Sequence, residues 1–285
     1  MENNIEEWKK KQSKQRNWAY DEIDKMVEKI KKDDNLFRKY LDKQSIFPKY
    51  SVGNNLLLLS QFPNAREFRD WNGWKKLNVT VNKNEKPIII IEPNRSNKGN
   101  GKIYYNPKEM YDISQTDSIN KKEEIYSIKD MLKALISDCP ANIEVVYDIP
   151  FNEHLSAMYN RENDTLYIKR GDNSENLIIS LSFAIADMET KKEKDTDLKD
   201  FENLTLSYLI CRKFGINVSN YTELKIPKEY VSNMNNKEIR KELENIRHHY
   251  EKILLRVNEE LDKIKMEKNE KEEKEELNKN KTERW

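Results

Sequence analysis

Residues 50–93 read YSVGNNLLLLSQFPNAREFRDWNGWKKLNVTVNKNEKPIIIIEP. Asn54 to Phe62 (NNLLLLSQF) predicts a short helix that is apolar on nearly every side and so must be buried nearly all round. Pro63 and Asn64 end it. Phe68 to Leu77 predicts a short helix or turn. Val79, Thr80 and Val81 alternate like a strand, Asn82 to Glu85 form a turn, and Ile88 to Ile91 form a buried strand closed by Pro93. The expectation is an α+β fold, with a buried helix on a small antiparallel sheet.

Upstream, Ile5, Trp8, Trp18, Ile23, Met26, Val27 and Ile30 recur at helical spacing, and Phe37, Tyr40 and Leu41 continue the pattern, so residues 5–43 are expected to be helical. Downstream, Asn94 to Gly101 is a loop by composition, Lys102 to Tyr105 a strand, and Met110 to Ser118 an extended segment. Residues 118–124 form a polar linker. In the second half, Ile128 to Ile136 is a helix and Ile143 to Tyr147 a strand. Leu155 to Tyr159 and Thr165 to Ile168 pair around the turn Asn160 to Asp164. Ser174 caps a helix with Leu177 to Met188 as its apolar body, and Phe201 to Phe214 is a helix stopped by Gly215. From residue 236, Ile239, Leu243, Ile246, Tyr250, Ile253, Val257, Leu261 and Ile264 make one long amphipathic stripe. A 4-3 spacing suits either a coiled coil, hence an oligomer through 237–265, or a helix laid on the preceding domain. The expected divisions are 1–117, the linker 118–124, 125–235, and a charged helix and tail over 236–285.

The 52 basic and 51 acidic side chains nearly cancel. The signs are nevertheless segregated. Residues 46–108 hold eleven lysines and arginines against four acidic residues, whereas the half after residue 117 is net acidic. Interleaved aromatic and cationic side chains are what a sequence-tolerant single-stranded nucleic-acid surface needs: bases stack on rings and cations follow phosphates. The same aromatics at helix or strand spacing also serve as core.

Cys139 and Cys211 lack framework spacing and suit free thiols of a reducing compartment. The first residues have no apolar signal region, and no apolar run reaches the length of a membrane span, so a cytoplasmic location is expected. The six glycines make neither a GxGxxG nor a GxxxxGK loop, and CxxC is absent. No cofactor is expected.

The set Tyr50-Ser51-x-x-Asn54, Gln61, Pro63, Trp74, Val81-x-Lys83-x-Glu85-Lys86 and Pro93 resembles the N-terminal domain of ArdC-type antirestriction proteins, made by plasmids, conjugative elements and phages. The resemblance covers residues 5–115. It implies single-stranded DNA binding, followed by a zincin-like metallopeptidase domain. Asn84 stands where that family usually has Gly, and Asn tolerates φ > 0. Residues 167–188 and 201–221 are similar to the family's strand–loop–helix bearing HExxH and to its later ligand helix. On this alignment the two His positions fall at about Ser182 and Ala186, the general base at about Phe183, and Glu202 alone keeps an acidic side chain. A catalytic zinc needs two His at i, i+4, a third ligand and a carboxylate beside its water. The three histidines, His154, His248 and His249, lie elsewhere. The resemblance therefore implies a second domain without peptidase activity and without metal.

The expected DNA contacts follow. Lys75, Lys76, Lys83 and Lys86 flank the strand turn and meet phosphates. Arg66 and Arg69 extend that track. Arg95, Lys98 and Lys102 line the loop. Trp71 and Trp74 share a helical face, with Trp74 favoured as core and Trp71 mixed. Tyr50 stacks or hydrogen-bonds, Asn54 holds backbone or touches DNA, and one of Tyr104 and Tyr105 faces outward. A protein partner from host defence or conjugation is the alternative to DNA.

Overall fold

The structure is a computed structural model that describes residues 2–94, 104–118, 126–150, 152, 154–190, 197–219, 221 and 223–282. In chain order these form α1 (Glu2–Ile30), α2 (Asp34–Ile46), α3 (Val52–Gln61), β1 (Phe68–Arg69), α4 (Trp71–Lys76), β2 (Ile88–Asn94), β3 (Tyr104–Asp112), α5 (Ile128–Ile136), β4 (Asn142–Val146), β5 (Ala157–Asn160), β6 (Thr165–Lys169), α6 (Ser174–Glu189), α7 (Asp197–Lys213), α8 (Lys228–Asn233) and α9 (Asn236–Thr282). The fold is α+β. The chain divides into two compact units, 1–123 with 223–247, and 124–222 with 248–285. No described helix is long and apolar enough to cross a membrane.

In the first unit the helical region splits at Asp33, whose carboxylate accepts the N–H groups of Asn35 and Leu36 and so starts α2. Ser51 caps α3, and every residue from Val52 to Leu59 is buried, as its composition requires. At Gly53 an added Cβ would lie 3.1 Å from Ile23 Cδ1, so glycine permits the close approach of α3 to α1. The sheet order is β1-β3-β2, antiparallel throughout. Phe47, Leu58, Phe68, Ile88, Ile90 and Met110 form the core between α3 and this sheet.

β2 is an edge strand, and α3 supplies what a further strand would. Ile88 to Ile91 are all buried, so the outward backbone groups of Ile89 and Ile91 cannot turn to water. The Asn54 side-chain amide donates to Ile91 O at 2.9 Å and its oxygen accepts Ile91 N–H at 2.9 Å. Gln61 does the same for Ile89, with both distances 2.9 Å. Two amides on one helix thus satisfy four edge groups that would each cost about 1–3 kcal/mol if buried unpaired.

Some details differ from the sequence reading. Pro93 does not close β2. The strand runs to Asn94, with Pro93 opposite Tyr105; an edge strand tolerates proline because the outward side needs no donor. Val79 to Val81 contribute only a bridge, Val81 to Thr116. β3 continues to Asp112 and then turns through a 3-10 segment rather than staying extended. Asp112 accepts the N–H groups of Arg66, Glu67 and Ser114, and Gln115 accepts that of Asp112. Asn84 has φ 66°. The linker falls almost wholly outside the described residues.

In the second unit β6 lies between β4, parallel to it, and β5, antiparallel to it. Asn173, one residue before the expected Ser174, caps α6. Gly215, at φ 68°, follows α7 in the left-handed conformation that stops a helix. The stripe of α9 is covered by the chain itself: Ile239, Leu243, Ile246, Tyr250, Ile253, Val257, Leu261 and Ile264 are all buried. Residues 237–265 therefore form a helix laid on its own protein, and their apolar face is not available for a coiled-coil seam.

Candidate nucleic-acid interface

A cleft of about 770 Å³ opens in the first unit beside the end of the β2–β3 pair. Tyr50 and Asn54 line it, as do Lys49, Tyr105, Lys108 and Arg247. Tyr50 is half-buried because one face packs on Phe68, with ring centroids 4.7 Å apart. Burial, aided by the Glu92 carboxylate, pushes its hydroxyl pKa up, so the phenol stays a neutral donor at any working pH. Tyr105 is exposed. Asn54 is spent on Ile91 and acts on the backbone.

The cations of this cleft are partly engaged. Lys108 lies 3.1 Å from both Asp70 and Glu92. Burial depresses its pKa, but those two carboxylates outweigh burial and the net shift is upward, so it remains charged. Arg247 bonds Glu244 at 2.6 Å and Pro48 O at 3.2 Å. Lys49 is exposed and makes no ion pair among the described residues. The Lys108 pairs are about a third exposed, and such pairs are worth about 0–1 kcal/mol.

Asp70 links this cleft to a second patch. It caps α4 by accepting Gly73 N–H at 2.6 Å while pairing with Lys108. The next residue, Trp71, is 52 % exposed, touches Tyr111 edge-on, and lines a groove of about 260 Å³ with Lys75, Val79, Thr80 and Val81. Trp74 is 1 % exposed and donates its indole N–H to Tyr111 O at 2.8 Å. The two tryptophans thus do not share a usable face: one is core and one is surface.

The other expected residues divide. Lys75, Lys76, Lys83, Lys86 and Arg66 are exposed and form no side-chain ion pair among the described residues. Arg69 is engaged, with Glu67 at 2.7 Å and the Trp74 ring 5.6 Å away. Arg95, Lys98 and Lys102 lie outside the described residues, as does the side chain of Tyr104. Lys49, Tyr105, Lys108 and Arg247 were not among the expected contacts. Tyr105 was half-signalled by its alternation with Tyr104. Arg247 had no signal, because it reaches Pro48 from 199 residues away.

The second unit has a mostly apolar cavity of about 320 Å³, lined by Ala157, Met158, Ile179, Phe183, Leu204 and Tyr221 among others. Ser182 and Ala186 are completely buried and do not line it. The α6 residues that face it are Ile179, Ser180, Phe183, Ala184 and Asp187. Shifting a helix register by one residue rotates the side chain by about 100°, and one position beyond the expected pair stand Phe183 and Asp187, both facing the cavity. Phe183 offers no ligand atom. Asp187 is already held by the Arg161 guanidinium and by Asn203, which donates at 2.8 Å. Among the described residues no group of three or more His, Cys, Asp or Glu is placed to hold a metal ion.

No family model and no curated protein matches this chain. Solved structures do. The Mn(II)-bound crystal structure of the antirestriction ArdC protein from the R388 plasmid matches with a TM-score of 0.50 and 11 % identity, covering 74 % of this chain and 85 % of that one. The metal-free structure of the same protein matches with a TM-score of 0.43 and 12 % identity, covering 75 % and 86 %. The chain therefore has the fold of the R388 plasmid's antirestriction ArdC protein.

Proposed function

We propose that this protein binds single-stranded DNA through its first unit and serves a mobile element in an antirestriction-related role, inside the cell. The observation that carries the reading is the cleft where Tyr50 and Tyr105 stand among Lys49, Lys108 and Arg247. Rings that accept bases and cations that accept phosphates are there together, and every base has a face to stack. The sequence resemblance over residues 5–115 and the shared fold with the R388 protein support it.

The second unit is, in this reading, a peptidase-like domain that has lost its chemistry. The R388 protein is described with Mn(II) bound; in the cavity of this chain's second unit, α6 presents Phe183 and an Asp187 ion-paired with Arg161. A hydrolytic water would lack a metal, and the one carboxylate facing the cavity, Asp187, is held by Arg161 and Asn203.

Competition binding tests the reading. A labelled single-stranded oligonucleotide should be displaced by unlabelled single strand much better than by its duplex. Tyr105→Ala should weaken binding by about 1–3 kcal/mol, the usual worth of one stacked base. Equal preference for duplex, or no effect at Tyr105, would refute the assignment.

A further inference from the structure

The sheet of the second unit ends in two edge strands, β4 and β5, and among the described residues no strand pairs with the outer edge of β4. With the order β4-β6-β5, β4 is an edge strand. Asn142 N–H donates to Asp164 O at 3.0 Å, and Val146 O accepts Arg170 N–H at 2.8 Å. In a parallel ladder alternate residues bond inward. Asn142, Glu144 and Val146 thus serve β6, and Ile143, Val145 and Tyr147 turn their backbone groups outward. The same three residues carry apolar side chains to one face, and they are 42 %, 65 % and 76 % exposed. Ile143 and Val145 lie beside Leu166 and Ile168, which belong to the core. Edge strands are ordinarily blunted by charged side chains, lysine above all, by proline or by a bulge. Over residues 142–147 this one has no lysine, proline or bulge, and Glu144 is its one charge.

We propose that β4 pairs antiparallel with β4 of a second copy of this chain, joining two three-stranded sheets into one of six strands. Self-pairing is favoured over a foreign strand because the strand is self-complementary in one register. With outward backbone groups at 143, 145 and 147 on both strands, a two-fold axis at Val145 places Val145 on Val145, and Ile143 on Tyr147 of the second copy. On the other face Glu144 meets Val146 and Asn142 meets Asp148. Moving the axis by one residue toward either end puts Glu144 opposite Glu144, or opposite Asp148, and like charges directly opposite destabilise a pair; moving it by two leaves fewer strand residues paired. A two-fold contact uses the β4 edge of each copy and closes on itself.

The test uses the full-length protein. Sedimentation velocity over a concentration series should show a monomer of 34.2 kDa converting to a dimer. Val145→Lys should weaken dimerisation by at least about tenfold, because a charge then meets its own copy across the axis. Val145→Pro should do the same with the fold intact, because that N–H is not used by β6; circular dichroism checks the fold. Paired residues at the axis sit about 5.5 Å apart at Cα, within disulfide range. Val145→Cys should therefore cross-link on mild oxidation, and Glu144→Cys should not. A monomer at every concentration, a dimer indifferent to both Val145 substitutions, or equal cross-linking at 144 and 145 would each overturn the proposal.

Discussion

Asn54 and Gln61 show how one side chain can look functional while serving the backbone. Each amide offers one donor and one acceptor at the spacing of a strand partner, and each is spent on one residue of β2. Asn54→Ala should cost about 2–4 kcal/mol in urea unfolding, since two bonds vanish and a buried edge is left bare. Unchanged stability with weakened DNA binding would make Asn54 a ligand contact instead. Trp71 and Trp74 are the opposite case, with similar sequence surroundings and different roles. Trp74→Ala should cost about 3–5 kcal/mol of stability. Trp71→Ala should change stability by less than about 0.5 kcal/mol and weaken single-strand binding by about 1–3 kcal/mol; binding unchanged in that variant would remove Trp71 from the interface. The core role of Trp74 was favoured from the sequence as the position matching the Trp of the resembled family, and the structure packs it on Val81, Ile113 and Val79. The sequence did not carry the amide bracket, whose partners lie 28 and 37 residues downstream.

Among the elements, those whose partners are local were legible. α3, with four leucines in a row, can only be buried, and β2, with four isoleucines, can only be a core strand. The turn at Asn84 and the stop at Gly215 follow from residues that accept φ > 0. Elements fixed by distant partners were not: the path of β2 through Pro93 depends on which side of the strand is an edge, and the α6 register depends on which face meets β5. Asp70 provides a test at this scale. Partial burial raises its pKa, but Gly73 N–H and Lys108 outweigh that and hold it below the usual carboxylate value. A depressed carboxylate stabilises the fold above its unfolded pKa, and the contribution fades as pH falls through the lowered value. Asp70→Asn keeps the cap but loses the charge. It should cost up to about 1 kcal/mol at neutral pH, given the solvent screening of a part-exposed pair, and nothing below the carboxylate range. A cost that persists in acid would assign the effect to the cap geometry rather than to the charge.

For the whole molecule, the basic character of residues 46–108 and the acidity of the second half were plain in the sequence, and they place the expected anion contact in the first unit. The return of residues 223–247 to that unit was not legible, because nothing in the local pattern distinguishes Arg247 from the other cations of α9. The second unit's expected lack of metal chemistry has a direct check. Neither Mn(II) nor Zn(II) should raise the melting temperature, since a ligand stabilises only a fold that binds it; a rise of several degrees would restore a metal site. The central claim is phosphate contact in the Lys49–Lys108–Arg247 cleft. The affinity for a single-stranded oligonucleotide should be measured by fluorescence anisotropy across a salt series, for the natural protein and for Lys49→Ala. Three phosphate contacts predict that log K falls against log salt with a slope of about −2, and that losing Lys49 reduces the steepness by about 0.7. A flat line, or a slope that Lys49→Ala leaves unchanged, would contradict the account.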